Sequence, residues 1–277
     1  MKTENCNFCG TKGAKVWGDG QYEALRCGKC GVVWVSPQPG EKQLRDIYTG
    51  DYYRRWYLSF EEKRKEYFRG RLKAAEDVLS VKRSPAAARG RLLDIGCGVG
   101  FFLEAAKEKG WEAEGTEISD FAREYAGKKG FRVYAGCEGL KDSSFEMVTM
   151  MDVLAHVTDP AGYINKAKAL LKNGGALVIK TPDHPAGLFR MAGIFSFTGR
   201  SRALLHIPAQ LFHFDPGNLT GVVERSGLRA VKTEKVREAL RGGWTSSCLK
   251  NSLVKLFNAA ASAAGIGESF MLYAIKP

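Results

Sequence analysis

From residue 91 onward the apolar positions follow two alternating periods. Short apolar runs, RLLDI at 91–95, FEMVTMM at 145–151 and GALVIKT at 175–181, read as buried strands. Apolar residues at helical spacing follow over 100–109, 119–129 and 160–172. Further strands are expected over 111–116, 131–135, 228–236 and 269–275, and further helices over 216–226 and 249–264. This alternation predicts an α/β fold with a mostly parallel sheet built from right-handed βαβ units. The last two strands, finishing antiparallel, would close a seven-stranded sheet.

The pattern differs at both borders of this region. Residues 1–36 offer only short strands, around YEALRC and VVWVS, before SPQPG breaks them. Residues 41–80 look helical, with Leu44, Ile47 and Tyr48 on one face, and KRSPAAARG reads as a linker. The expected units are therefore 1–40, a helical connector at 41–90, and 91–277. NGG at 173–175 is expected to be a turn. After residue 181 the alternation fails, and an irregular insert at 183–214 holds His184, His206 and His213, three of the four histidines.

Cysteine spacing changes the picture of the first unit. Cys6-x2-Cys9 and Cys27-x2-Cys30 match a site of four thiolates, each pair followed by a glycine that permits a tight turn. Four thiolates leave no open coordination position, so the expected ion is a structural Zn2+. Cys97, Cys137 and Cys248 are too scattered for a second site. The N-terminus lacks the apolar core of a secretory signal, and no run is long enough to span a bilayer, so a cytoplasmic location is expected.

Net charge is +12. Residues 51–91 carry twelve Lys/Arg against six Asp/Glu, and 225–255 carry eight against two, a bias that suits anionic partners or only a solvated basic face. Residues 1–36 are nearly neutral, five against three, which argues against an RNA-gripping module.

Candidate chemistry gathers at LLDIGCGVGFFLEAAKEKG, 92–110. A strand feeding a Gly-rich turn and then a helix binds ligands at the carboxyl edge of a sheet. Gly96, Gly98 and Gly100 give G-x-G-x-G, with Phe101 near where a dinucleotide fingerprint has its third glycine. Asp94 would repel a pyrophosphate but can hold an ammonium group. Glu117, at the end of the next strand, can accept two hydrogen bonds from a ribose diol. Together they point to S-adenosylmethionine (SAM).

At these residues the chain resembles the class I SAM-dependent methyltransferases, from LLDIGCGVG through GTEIS, FEMVTMMDVLAHVTDP and LKNGGALVIKTPD to ESFMLYAIKP. The resemblance implies a Rossmann-like sheet of order 3-2-1-4-5-7-6 with helices on both faces. It implies that Gly96, Cys97, Gly98, Gly100 and Phe101 lie against the methionine end of SAM, and that Glu117 and Ile118 lie by the ribose and base. Glu138, Gly139 and Leu140 would approach the adenine, and Asp152 would line the cofactor site. In DVLAHV the resemblance puts His156 at the mouth of that site, either as a general base or merely packed there; His213 is the second candidate.

The cysteine ribbon, SPQPG and YTGDYY together resemble zinc-ribbon methyltransferases of sugar and secondary-metabolite pathways, which implies that Tyr52 and Tyr53 help cover the cofactor; ordinary packing is the alternative. The expected reaction is methyl transfer to an oxygen or nitrogen of a small molecule, a sugar or related metabolite. The alternatives are a quinone or lipid acceptor at a membrane surface, with Leu249, Leu253, Leu256, Phe257 and Ala260 as an apolar helical face, or an rRNA base. Arg190, Arg200 and Arg202 in the insert are expected to clamp an anionic acceptor.

Overall fold

The computed structural model describes residues 3–80, 90–194, 201–236 and 269–277. The expected helix over 249–264 and Arg200 lie outside the described residues, as does the side chain of Arg190.

Three antiparallel strands open the chain: Gly13–Gly18 (β1), Glu23–Cys27 (β2) and Val33–Ser36 (β3). β1 was invisible to the hydrophobic pattern because among its side chains only Trp17 is fully buried. The helical stretch is not continuous. It divides into Glu41–Arg45 (α1), Gly50–Trp56 (α2), a 3-10 turn at Leu58–Phe60 and the long helix Glu61–Ser80 (α3). Thr49 caps α2 by accepting from the Tyr52 amide.

Alternation then proceeds as read: Arg91–Ile95 (β4), Phe101–Glu108 (α4), Glu112–Thr116 (β5), Asp120–Lys128 (α5), Arg132–Tyr134 (β6), Phe145–Met151 (β7), Pro160–Leu170 (α6) and Leu171–Pro182 (β8). The NGG segment is not a separate turn. Leu171 already pairs with Phe145 and Ala176 with Met147, so residues 172–175 bulge out of one long strand. The described part of the insert, expected to be irregular, holds helices Ala186–Ile194 (α7) and Ser201–Leu204 (α8) and the short strand Phe212–His213 (β9). Pro216–Arg225 (α9), Arg229–Val236 (β10) and Ser269–Ile275 (β11) complete the chain.

The described strands form two sheets. The larger has the order β10-β11-β8-β7-β4-β5-β6, with β11 antiparallel to both neighbours, the order the resemblance implied. Its period-2 side chains feed two cores. Leu93, Ile95, Val148, Ile179 and Leu272 meet Ile164 of α6 and Val222 of α9 on one side. Leu92, Met147, Val178 and Met271 meet Leu72 of α3 and Phe102 of α4 on the other. Each fully buried Leu or Phe contributes about 1.5–3 kcal/mol.

The smaller sheet is β1-β2-β3-β9, so the insert supplies a fourth strand to the cysteine ribbon. One face of that sheet, Trp17, Ala24, Val33 and Val35, is buried under Leu188, Phe189 and Ala192 of α7 with Leu205 and Ile207.

Candidate functional site

β4 ends at a turn stapled to its neighbour. The amides of Gly96 and Cys97 both donate to the Thr116 carbonyl, at 2.7 and 2.9 Å. Gly98 sits at φ +54°, and a Cβ there would come within 3.4 Å of the Tyr53 ring, so a glycine suits both the backbone and the contact. Gly100 caps α4, whose first residue Phe101 is buried against Tyr53 and Val99.

Two carboxylates face this turn. Asp94, 2% exposed, accepts from the Thr149 hydroxyl at 2.6 Å. Burial pushes its carboxyl up to about 7, against the Thr149 bond, and the nearby Glu117 charge pushes the same way. No Lys or Arg among the described residues pairs with it; a cationic ligand group would complete the site. Glu117, 5% exposed, accepts from the amides of Gly98 and Ser119, both at 2.9 Å. Burial raises its pKa while those amides and the Tyr53 hydroxyl lower it. A carboxylate has about four lone-pair sites, so capacity remains for a diol.

Beside Glu117, Ile118 is 44% exposed, an apolar side chain left open at a sheet edge. Glu138 and Gly139 are exposed and Leu140 is half-buried in the turn after β6. Tyr163 of α6, absent from the sequence reading, joins this group: it is 36% exposed, and partial desolvation together with the charges of Cys137, Glu138 and Glu117 raises its phenol pKa. Its only sequence signal was a helical position after β7. Tyr53, buried between the turn and Phe121, covers the other side.

At the ends of the next strands, Asp152 lies at φ +59° and its Oδ2 is ion-paired with Lys180 of β8. Lys180 is 1% exposed and was not singled out from the sequence, because one lysine at the end of an apolar strand reads as the strand's exit into solvent. The half-buried rings of Tyr52 and Tyr57 lie 5.8 Å apart, and the Asp152 and Glu117 charges both raise the pKa of their phenols.

His156 follows on the same loop. Its Nδ1 lies 2.7 Å from the Ala209 carbonyl, so Nδ1 carries the proton and Nε2 keeps a lone pair. Burial lowers the imidazole pKa below its ordinary value, keeping the ring neutral near pH 7. The second candidate has a different setting. His213 is in β9, fully buried, edge-on to His184 at 4.5 Å and donating from Nε2 to the Leu205 carbonyl at 2.9 Å. Burial holds it at about 4, and its enclosure suits packing better than proton exchange with a ligand. The structure does not bring it to the carboxylate pair.

The four ribbon cysteines converge, with all their sulfurs within 4.8 Å of one another, a set that can hold a metal ion. Tetrahedral coordination at ~2.3 Å needs sulfurs roughly 3.8 Å apart. Gly10 and Gly31, which follow the two pairs, have φ of +69° and +76°, and the Cys30 amide reaches the Cys27 sulfur at 3.4 Å.

Arg202, expected to face an anionic acceptor, is engaged by the ribbon. Its guanidinium takes Asp19 of the ribbon at 2.6 and 2.7 Å and Gln21 at 2.9 Å. No helix among the described residues is long and apolar enough to cross a membrane.

Known proteins similar to this chain are methyltransferases. The family described as a methyltransferase domain matches residues 60–233. A ubiquinone biosynthesis O-methyltransferase of Coxiella burnetii (strain Dugway 5J108-111) is 31% identical over 173 residues, 57% of this chain and 69% of that protein. One of the same name from Dinoroseobacter shibae is 31% identical over 180 residues, 60% of this chain and 71% of the other. A SAM-dependent methyltransferase from Archaeoglobus fulgidus shares the fold, with a TM-score of 0.53 at 22% identity over 80% of this chain and 99% of that one.

Proposed function

The chain belongs to the SAM-dependent methyltransferases, and from that premise we propose that it methylates a hydroxyl oxygen of a small molecule with His156 as general base. The observation that carries this reading is the His156 tautomer. With Nδ1–H committed to the Ala209 carbonyl, the ring offers Nε2 as a base on the loop after β7, the strand that pairs in parallel with β4 at Asp94.

The residues fit the cofactor part by part. Asp94 would hold the ammonium of SAM, the Gly96–Gly100 turn its methionine end, and Glu117 the ribose hydroxyls. Ile118 and Tyr163 offer apolar surface for the base, with Glu138, Gly139 and Leu140 alongside. Bound there, SAM supplies a methyl carbon on a positively charged sulfur. The acceptor's proton passes to Nε2 of His156. Asp152, fixed by Lys180, would line the acceptor side of the gap rather than the cofactor.

Oxygen is favoured over nitrogen as the target because the relatives are named O-methyltransferases and because a neutral base suits a hydroxyl. The rings of Tyr52 and Tyr57 favour an acceptor with a ring, of the quinol class or a sugar. The four cysteines are assigned a structural zinc, on the convergence of their sulfurs. Division into a ribbon, a connector over the cofactor and a methyltransferase domain with an insert is supported by Tyr53 lying on the glycine turn. Incubating the protein with SAM and parallel panels of quinols, sugars and amines tests the reading. A mass gain of one methylene confined to hydroxyl acceptors supports it; methylation of amines alone refutes it.

A further inference from the structure

We propose that Asn7 and Phe8, inside the first cysteine knuckle, are positioning residues for His156, so that metal loading of the ribbon sets the base while leaving the SAM cradle alone. This rests on the reading of His156 as the base. The loop that carries it, 152–159, is tied to the ribbon at two places.

At its far end, Asn7 bridges the loop to helix α6. Its Nδ2 donates to Asp159 Oδ1 at 3.0 Å and its Oδ1 accepts from the Ala161 amide at 2.8 Å. Asp159 caps the same helix by accepting from the Gly162 amide at 2.9 Å. In its middle, the Ala155 carbonyl accepts from the amides of Leu211 and Phe212 at 2.7 and 3.1 Å. That segment belongs to the ribbon sheet: Val35 donates to the Leu211 carbonyl at 2.9 Å, and Phe212 pairs with Trp34. Phe8 packs edge-on against Phe212 and Phe214, at 6.5 and 6.2 Å between centroids. The Ala209 carbonyl that fixes the imidazole lies two residues before Leu211.

The tether therefore runs from the knuckle through β3 and β9 to the ring. Cys27 ends β2, and the Cys27 amide donates to the Val32 carbonyl at 2.9 Å, just before β3. Metal release frees the thiols that hold these turns, and displacement of a catalytic group by about 1 Å can cost roughly a hundredfold in rate. The carboxylates proposed to hold SAM have separate supports. Asp94 is held by Thr149, and Glu117 by Gly98 and Ser119, within or beside the large sheet.

The test compares the zinc-loaded protein, the chelator-stripped protein, and the zinc-loaded variants Asn7→Ala and Phe8→Ala. Stripping should speed hydrogen exchange at the Leu211 and Phe212 amides at least tenfold while the Kd for SAM changes less than threefold. Both variants should keep their zinc and SAM affinity and lose roughly tenfold or more in kcat. The acid limb of their kcat profile should move up toward the ordinary imidazole value of about 6.5, because a loosened ring regains water. Asp152, Lys180, His206, His184 and His213 are the charged or titratable groups that share an electrostatic interaction with this ring, and both variants retain all five. Unchanged amide exchange on stripping overturns the tether. Unchanged kcat and acid limb in both variants overturn the positioning role, and so does loss of SAM binding in parallel with turnover. If His156→Ala keeps full turnover, the base assignment itself falls, and amide exchange still judges the tether.

Discussion

The Glu117 carboxylate reaches back across two parallel strands to accept the Gly98 amide at 2.9 Å, tying the end of β5 to the turn after β4. The same group is proposed to hold the ribose, so one side chain would shape the turn and bind the ligand. Replacing it should hurt both.

Glu117→Ala is expected to weaken SAM by about 1.5–3 kcal/mol, the range for charge-assisted hydrogen bonds. The change also removes the acceptor from the buried Gly98 amide, so the turn should loosen without ligand. Glu117→Gln, which keeps an acceptor oxygen, should lose less. Calorimetry with SAM on the three proteins measures the order; equal affinities would refute the assignment.

Asp94 gives a pH dependence with a defined sign. Its folded carboxyl is pushed up to about 7 from an ordinary value of 3.8, so between those values the folded chain holds a proton that the unfolded chain has lost. Folding stability from this group therefore falls as pH rises through that window. Bound ammonium favours the ionised form, so SAM affinity should rise with pH up to about 7 and then level. Asp94→Asn should raise the melting temperature of the free protein at pH 8 and weaken SAM at the same pH. Thermal scans and titrations at pH 5.5 and 8 check both arms.

Much of this site was legible before the fold was seen, for physical reasons that differ by residue. Asp94 and Glu117 stood out because a carboxylate ending an apolar strand is costly unless it has work at the sheet edge. Alternation and handedness led only to a mostly parallel sheet, while the order of its seven strands was what the family resemblance implied. Lys180 and Tyr163 were illegible because their partners, Asp152 and the Glu138 turn, are distant in sequence. β9 was illegible for another reason. Two residues carry no periodicity, and Phe212–His213 is a strand only because β3 offers an edge.

His156→Ala is expected to lower kcat by 10²- to 10⁴-fold, the usual contribution of a positioned base, with the Kd for SAM unchanged. The wild-type kcat should fall as pH drops through a value below the ordinary ~6.5, because burial lowers this imidazole. His213→Asn should leave the pH profile where it is and act on stability, since that ring is enclosed by Phe189 and His184. A profile that follows His213 instead would reverse the two roles.

The insert is joined to the ribbon by a latch that can be cut without deleting it. Removing 188–204 outright would uncover Trp17, Ala24, Val33 and Val35, so lost turnover would report only a lost core. Arg202 is a cleaner handle: it holds Asp19 and Gln21 and stacks over Tyr22 at 5.0 Å. Burial tends to raise the Asp19 pKa, but the Tyr22 amide, Arg202 and the Gln21 amide together bring it below its ordinary value. A depressed carboxyl stabilises the fold above its unfolded pKa of about 3.9, and that contribution disappears as pH falls through the lower folded value. Arg202→Met should therefore destabilise the protein at pH 7 by about 1 kcal/mol, given that the pair is partly exposed, and by much less near pH 3. Denaturant titrations at the two pH values measure this, and the Asp19→Asn, Arg202→Met double variant should cost little more than either single change. Additive losses would mean that the two side chains act independently and that the latch is not what holds the insert to the ribbon.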